Sequence, residues 1–404
     1  MKFSNIIGQK PVIERLRDLI NQNRLSHALL FLGKEGSGAL PLAMAFANYI
    51  ICERRQGETV ARPAGLFAED PVTTEAAPLQ DACGQCPSCS KTAKFVHPDI
   101  HFSYPVIPRK PGDKPVSTDY ISEWREFVGQ YPYGNVYDWL QFIGAENKQG
   151  NITSAECAEI IRKLSLKSFE SEYKILLLWM PEYLEKEGNK LLKIIEEPPP
   201  NTLFILVAES EAGILPTILS RCQLIKIPPI DDADIVEALM KGSGLSDTQA
   251  RQLAAVSEGN YREARLLVQH AEEDWLSLLR EWLNALLKNG PMAQVKWVEE
   301  ISKLGREKQK QFLRYFNHLL ELAIRLSVLE EQGAAKALML PENEMDFITK
   351  LNKISNRDCQ EAIVKELDKA SYYIERNANG RMLFHALTIK LYHIIADKSL
   401  ILID

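Results

Sequence analysis

Three cysteines at residues 83, 86 and 89 lie in CGQCPSC, a C-x-x-C-x-x-C spacing. A two-residue gap lets neighbouring thiolates turn onto one ion, and tetrahedral zinc takes four sulfur or nitrogen ligands. Cys83, Cys86 and Cys89 supply three. Cys52, at the end of an apolar helical run, is the expected fourth, and His97, in HPD, is its competitor. A structural zinc is expected rather than a catalytic one, because the chain has no HExxH pattern and catalytic sites keep an open position. The alternative is that these thiols are free.

A second stretch with chemical potential is GKEGSGAL, residues 33–40. A working phosphate loop reads G-x-x-x-x-G-K-[ST], its Lys reaching the β and γ oxygens and its hydroxyl binding magnesium. Gly33 and Gly38 take the glycine positions, with Gly36 between them. Ala39 replaces the Lys and Leu40 replaces the Ser or Thr. Lys34 sits at the wrong end of the loop to substitute. The loop therefore loses a cation and a metal ligand together, and tight ATP binding is not expected. The glycines serve equally well in a strand-to-helix turn kept for packing.

These residues need elements to position them. VIERLRDLINQN has apolar residues at helical spacing, HALLFLG is a short buried strand, and ALPLAMAFANYIIC is a helix with Pro41 near its start. The loop thus lies between a strand and a helix, the context a phosphate loop requires. Residues 54–82 are rich in Pro, Gly, Ala, Thr and charge without periodicity, and read as an exposed, disordered insertion. Residues 105–150 read as a second loop excursion with one short helix near ISEWREFV. Order returns with SAECAEIIRKLSL (helix), YKILLLWM (strand), EGNKLLKIIEE (helix), TLFILVAE (strand), ILPTILSRC (short helix) and QLIKI (strand). This alternation predicts an α/β fold with a parallel sheet covered by helices on both faces. After about 229 the sequence reads as helix after helix, in two groups that divide near 272.

The 404-residue chain carries a net charge of −6. A protein that grips nucleic acid alone is usually basic, so DNA contact is expected only within a larger assembly. A zinc-ribbon nucleic-acid-binding module is the competing reading, supported by Lys91, Lys94, Phe95 and His97 near the cysteines. No run approaches the 18 apolar residues of a membrane span, and the start MKFSNIIGQKPVIERL lacks a signal-peptide core. A cytoplasmic location without membrane contact is expected, where clustered cysteines read as metal ligands rather than disulfides.

The order of motifs carries a resemblance. The Gly-rich loop, the helix ending in Cys52, CGQCPSC, HPD, NKLLKIIEEPPPNTLFILVAES, LPTILSRC and SEGNYREAR occur in that sequence. Together they resemble the delta-prime subunits of the bacterial DNA polymerase III clamp loader, in the AAA+ superfamily, over most of residues 1–270. ERNANGRMLF, residues 375–384, is similar to a stretch in the family's C-terminal domain. The insertions depart from the compact family pattern.

The resemblance implies a RecA-like AAA+ domain over residues 1–228 with a zinc module at about 52–97. A small helical lid over 229–272 and an all-α collar over 273–404 would follow. It implies a heteropentameric ring with homologous ATPase subunits and a delta subunit, which places a sliding clamp on primer-template DNA during replication. Family comparison puts Trp179 and Met180 where the strand normally ends in acidic residues for magnesium and water, with Glu182 about one turn late. The site's own hydrolysis is then not expected. Arg221, flanked by Ser220 and Cys222 in SRC, matches an arginine finger that acts in trans on a neighbour's ATP. Cys222 is expected to be packed. Arg262 matches the lid arginine that senses the γ-phosphate in an active relative, and reads here as a structural lid residue. An active clamp-loader ATPase is the alternative. It would need the cation, hydroxyl and acids that Ala39, Leu40, Trp179 and Met180 replace.

Overall fold

The computed structural model describes residues 1–55, 80–110, 112–145, 148–269, 275–331, 342–376 and 378–396. Most of the 54–82 insertion expected from composition, residues 56–79, lies outside the described residues. The chain divides into two compact units, Met1–Val268 and Gln269–Asp404.

The first unit begins with α1 (Lys10–Asn21), β1 (Ala28–Gly33), α2 (Ala39–Ile51), α3 (Pro87–Ala93) and β2 (Ile100–Ser103). It continues with α4 (Ile121–Gln130), α5 (Val136–Phe142), α6 (Ser154–Ser165) and β3 (Lys174–Trp179). Then come a 3-10 tract (Pro181–Leu191), α7 (Leu192–Glu196), β4 (Thr202–Ala208), α8 (Pro216–Leu219) and β5 (Gln223–Ile227). The five strands form one parallel sheet in the order β2-β3-β4-β1-β5. β1 is therefore internal, between β4 and β5, and the chain switches sides there. Open α/β sheets form ligand crevices beyond the carboxyl ends of their strands at such switch points.

The strands are nearly continuous apolar runs because both faces are covered. Successive side chains point to opposite faces, so Leu29, Phe31, Ile175, Leu177, Ile205 and Ile225 enter one core, with α2. Ala28, Leu30, Leu176, Leu178, Phe204 and Leu206 enter the other, with α6 and α7. α2 is buried along its whole length, which explains why its sequence shows little amphipathic contrast.

Three expectations need correction. β2 was not foreseen. With only four residues, split by the half-buried His101 and Phe102, it carries no apolar run. The 105–150 segment is not a loop with one helix. It folds into α4 and α5 and buries Trp124 and Phe127 against Trp179 of β3, with Trp139 packed on both of them. Tyr104 stacks on Trp124 at 4.0 Å, and the Trp139 indole N–H donates to the Pro105 carbonyl at 2.7 Å. The core here is aromatic and assembled from distant positions, so no local period announces it. The stretch read as the helix EGNKLLKIIEE is helical but divided, 3-10 up to Leu191 and α over Leu192–Glu196.

Three helices complete this unit: α9 (Asp232–Ser243), α10 (Asp247–Ser257) and α11 (Tyr261–Gln269). Their small core of Ile230, Ile235, Val236, Leu239, Ala250 and Ala254 also includes Tyr133, from the segment before α5.

The second unit is helical among its described residues: α12 (Trp275–Asn284), a π-helical turn (Ala285–Asn289), α13 (Gly290–Lys303), α14 (Arg306–Glu331), α15 (Glu342–Ile354), α16 (Arg357–Glu375) and α17 (Gly380–Ile395). Its core centres on Trp282 and Trp297, stacked at 4.6 Å, with Phe312, Phe316 and Phe384 around them. Both indoles are satisfied, Trp282 by the Thr388 hydroxyl and Trp297 by the Leu278 carbonyl. The fold class is thus a RecA-like α/β domain with helical elements after it. The expected boundary near 272 falls on residues 270–274, outside the described residues.

Candidate functional site: a glycine-rich loop, a cysteine cluster and an arginine

The loop Gly33–Leu40 leaves the C-terminal end of β1 and enters α2. Gly36 and Gly38 have φ of 70° and 87°, the left-handed region that favours glycine. A side chain at Gly36 would strike Asn260, and one at Gly38 would meet the Tyr133 ring at 2.9 Å. The glycines are therefore required by packing as well as by backbone conformation. Ala39 and Leu40 are buried, so no cation or hydroxyl stands where a phosphate loop would present them. Trp179 and Met180 line the same cleft with Glu209 and Pro132.

Glu182 is not aimed at the cleft. Its Oε1 accepts the backbone N–H groups of Glu209 and Ser210 at 2.7 and 2.9 Å, stapling β3 to the end of β4. Burial raises its pKa despite those hydrogen bonds.

Arg262, on α11, is 5% exposed. Its Nε and one terminal nitrogen form a fork on Asp138 at 2.5 and 2.6 Å, and its other terminal nitrogen reaches Glu35 at 3.0 Å. Glu35 is a loop residue, and it also accepts from Asn135 at 3.1 Å and Asn260 at 3.4 Å. Glu35, Asn135, Asp138 and Tyr133 were missed by sequence reasoning. An acidic residue inside a phosphate loop is a visible charge mismatch and could have flagged Glu35. Nothing local could have flagged Asp138, which lies 124 residues from its partner.

Arg221 follows α8. Its Nε donates to Glu196 at 2.6 Å and a terminal nitrogen donates to the Thr217 carbonyl at 2.7 Å. Its side chain remains 32% exposed. Ser220 donates its hydroxyl to the Thr217 carbonyl at 3.1 Å and accepts from Arg221. Cys222 is half-buried, and burial pushes its thiol up to about 11, an unreactive state.

The four cysteines meet. Cys52 ends α2, Cys86 caps the start of α3, and Cys89 lies in its first turn. Their sulfurs and that of Cys83 all lie within 4.8 Å of one another. Zinc–sulfur bonds of about 2.3 Å place tetrahedral sulfurs about 3.8 Å apart, and Cys83 and Cys89 stand at 3.9 Å. Backbone N–H groups of Cys83, Cys86 and Cys89 donate to the sulfurs of Cys52, Cys83 and Cys86 at 3.3 to 3.4 Å. Such donors favour thiolate. Glu53 supports the arrangement by accepting from the Ser88 amide and hydroxyl. The donor set fits a tetrahedral metal ion.

His97 is not in this group. Its Nδ1 accepts from the Asp99 amide at 3.2 Å, its Nε2 faces Glu170 at 3.3 Å, and burial lowers its pKa. Lys91 is engaged by Glu170, and Phe95 packs beside Phe102.

The chain is 26% identical over 265 residues to DNA polymerase III subunit delta' of Bacillus subtilis, a match covering 65% of this chain and 60% of that protein. It is 23% identical over 327 residues to DNA polymerase III subunit tau of the same organism, covering 79% and 46%. The chain thus spans about half to three-fifths of the length of these relatives. Among solved structures, a DNA polymerase III gamma subunit-related protein of Thermotoga maritima aligns with 94% of this chain and 98% of its own, at 13% identity and a TM-score of 0.36. A family model described as DNA polymerase III, delta subunit matches residues 8–231, more than half of the chain, and the chain belongs to that family.

Proposed function

We propose that this chain is a non-hydrolysing clamp-loader subunit that lends Arg221 to the ATP site of a neighbouring subunit. The observation that carries this is the ion pair between Glu35 and Arg262 at 3.0 Å. The loop of this chain presents a carboxylate, and the arginine that would sense a phosphate is bound to it. A polyphosphate brought to that loop would meet like charge, with no Lys at 39 and no hydroxyl at 40 to offset it. Arg221, just beyond the short helix α8, is partly exposed and held by a surface-type pair that a phosphate can displace.

The chemistry Arg221 would supply is electrostatic. Its planar fork stays charged and matches phosphate oxygens. A trans-acting arginine of this kind is worth about three to five decades in rate in GTPase systems. Ser220 would orient the guanidinium rather than react. Zinc on Cys52, Cys83, Cys86 and Cys89 would be structural, tying the end of α2 to α3.

In this reading residues 1–228 are the AAA+ domain, 229–272 the lid, and 273–404 the collar. The collar would join homologous ATPase subunits and a delta subunit in a heteropentamer that loads a sliding clamp onto primer-template DNA in the cytoplasm. No described helix is long and apolar enough to cross a membrane.

The test is reconstitution with candidate ATPase subunits. An Arg221→Ala ring should assemble and hydrolyse ATP more slowly in the presence of DNA. Full activity in an intact ring would remove the finger from this reading.

A further inference from the structure

We propose that the segment Pro132–Asp138 is a built-in wall of the nucleotide cleft. With Glu35 and Arg262, it latches the three-helix lid α9–α11 to the phosphate loop, so that the lid's position does not depend on nucleotide.

In a nucleotide-dependent site, the ligand's phosphates bridge the loop to the lid. Here four connections made by the protein span the same gap. The first is ionic: Arg262 of α11 binds Asp138 of α5 through a two-bonded fork, and binds Glu35 of the loop. The second is the backbone of α11 itself, whose first amide, Tyr261 N–H, donates to the Gly36 carbonyl at 3.2 Å. The third is Tyr133. Its ring lies against Gly38, meets Tyr261 at 4.9 Å and belongs to the lid's apolar core, while its hydroxyl accepts from the Ile7 amide at 2.9 Å. The fourth is Gln9, whose carboxamide donates to the carbonyls of Ser37 and Pro228, joining the loop to the chain just before the lid.

Arg262 is 5% exposed, and each carboxylate side chain is about one-fifth exposed (20% for Glu35, 22% for Asp138). A buried guanidinium is strongly disfavoured without its partners, so opening the lid would require exposing it or leaving it unpaired. Asn135 reinforces the cluster. It caps α5 by accepting from the Asp138 amide at 2.9 Å and donates to Glu35. The 105–150 excursion thereby gains a role: its aromatic core fixes α5, and α5 presents Asp138 to the lid.

The proposal depends on the loop's failure to bind nucleotide and not on Arg221, so the test uses the isolated full-length chain. Hydrogen exchange of α9–α11 amides is measured for the wild type, Asp138→Asn, and Glu35→Gln combined with Asp138→Asn, each with and without Mg-ATP. Both substitutions keep the side-chain shape at partly exposed positions while removing the negative charge and one acceptor oxygen each. The expected result is at least tenfold faster exchange of the lid in the double variant, unchanged exchange in β1, β3 and β4, and no protection of the wild-type lid by Mg-ATP. Arg262→Lys keeps the buried charge but loses the fork, and serves if the double variant does not fold. It should loosen the lid by a smaller factor. Lid exchange unaltered by these substitutions, or wild-type lid protection by Mg-ATP, would overturn the latch. Loss of the finger in a reconstituted ring would leave it standing.

Discussion

The Nε of Arg221 donates to Glu196 Oε1 across 2.6 Å, linking the second residue beyond α8 to the last residue of α7. Glu196 belongs to KIIEEPP and Arg221 to LPTILSRC, so two motifs share one ion pair between residues 25 positions apart. Both side chains are partly exposed, and such pairs contribute roughly 0–1 kcal/mol. Glu196 therefore gives the guanidinium a defined place through a weak pair, and in the proposed finger role its transfer to a phosphate would cost little. Arg221→Ala should change the stability of the isolated chain by less than about 1 kcal/mol. Arg221→Lys should rescue ring ATPase poorly, because one ammonium cannot reproduce the fork. Glu196→Gln should leave assembly intact and lower DNA-stimulated ATPase by a smaller factor than Arg221→Ala, through looser placement of the arginine. Steady-state rates beside an assembly control measure this. Equal activity of the Lys and Arg forms would argue against a bidentate role.

The cysteine cluster should hold one zinc per chain. Structural zinc contributes folding energy directly, so Cys86→Ser should lose the metal and loosen the contact between α2 and α3. His97→Ala should destabilise the chain, because it removes a buried, hydrogen-bonded ring, yet keep full zinc occupancy. Metal analysis of protein purified without chelator decides both. Zinc retained in Cys52→Ser and lost in His97→Ala would reverse the ligand assignment.

Much of this architecture could be read in the sequence because its signals are local. Apolar strands buried on both faces, such as LLFLG and ILLLW, need no tertiary knowledge. The C-x-x-C-x-x-C run likewise names its own chemistry. What escaped was non-local. The order β2-β3-β4-β1-β5 depends on pairing across more than 170 residues, as between Ala28 and Phe204. The fork from Arg262 to Asp138 joins two segments whose sequences contain no hint of each other. Trp124 and Trp139 are spaced by neither a helical nor a strand period, and only the sheet beneath them makes their positions one core.

Restoring the missing phosphate-loop residues should not restore hydrolysis. Ala39→Lys with Leu40→Thr would return a cation and a hydroxyl, but Trp179 and Met180 still supply no magnesium ligand, and Glu182 is bound to the backbone of Glu209 and Ser210. Arg262 also stays engaged with Glu35 and Asp138. The double variant is expected to show no ATP turnover above a contaminant-controlled baseline. Turnover that a Gly38 substitution abolishes would show that the acidic positions are dispensable.

Acid should weaken both units over the same interval, for a reason visible in two histidines. Burial holds His101, on β2, and His318, on α14, down to about 4. An unfolded histidine titrates near 6.5. Because the folded pKa is depressed, the unfolded state takes up a proton first as pH falls. The contribution is complete above pH 6.5 and is lost progressively down to about 4. At pH 4 each residue would account for up to about 3 kcal/mol, less to the extent that water reaches the half-buried rings. Asp99 adds to the loss at lower pH. Burial opposes its ionisation, but the amides of Phe169, Glu170 and Ser171 outweigh that and keep its pKa below the usual value. Urea denaturation at pH 7.5, 6, 5 and 4 should show falling midpoints, and His101→Gln should flatten the slope for the α/β unit while leaving that of the helical unit unchanged. A His101→Gln profile parallel to the wild type over this range would mean that the ring is protonated as readily in the folded chain as in the unfolded one.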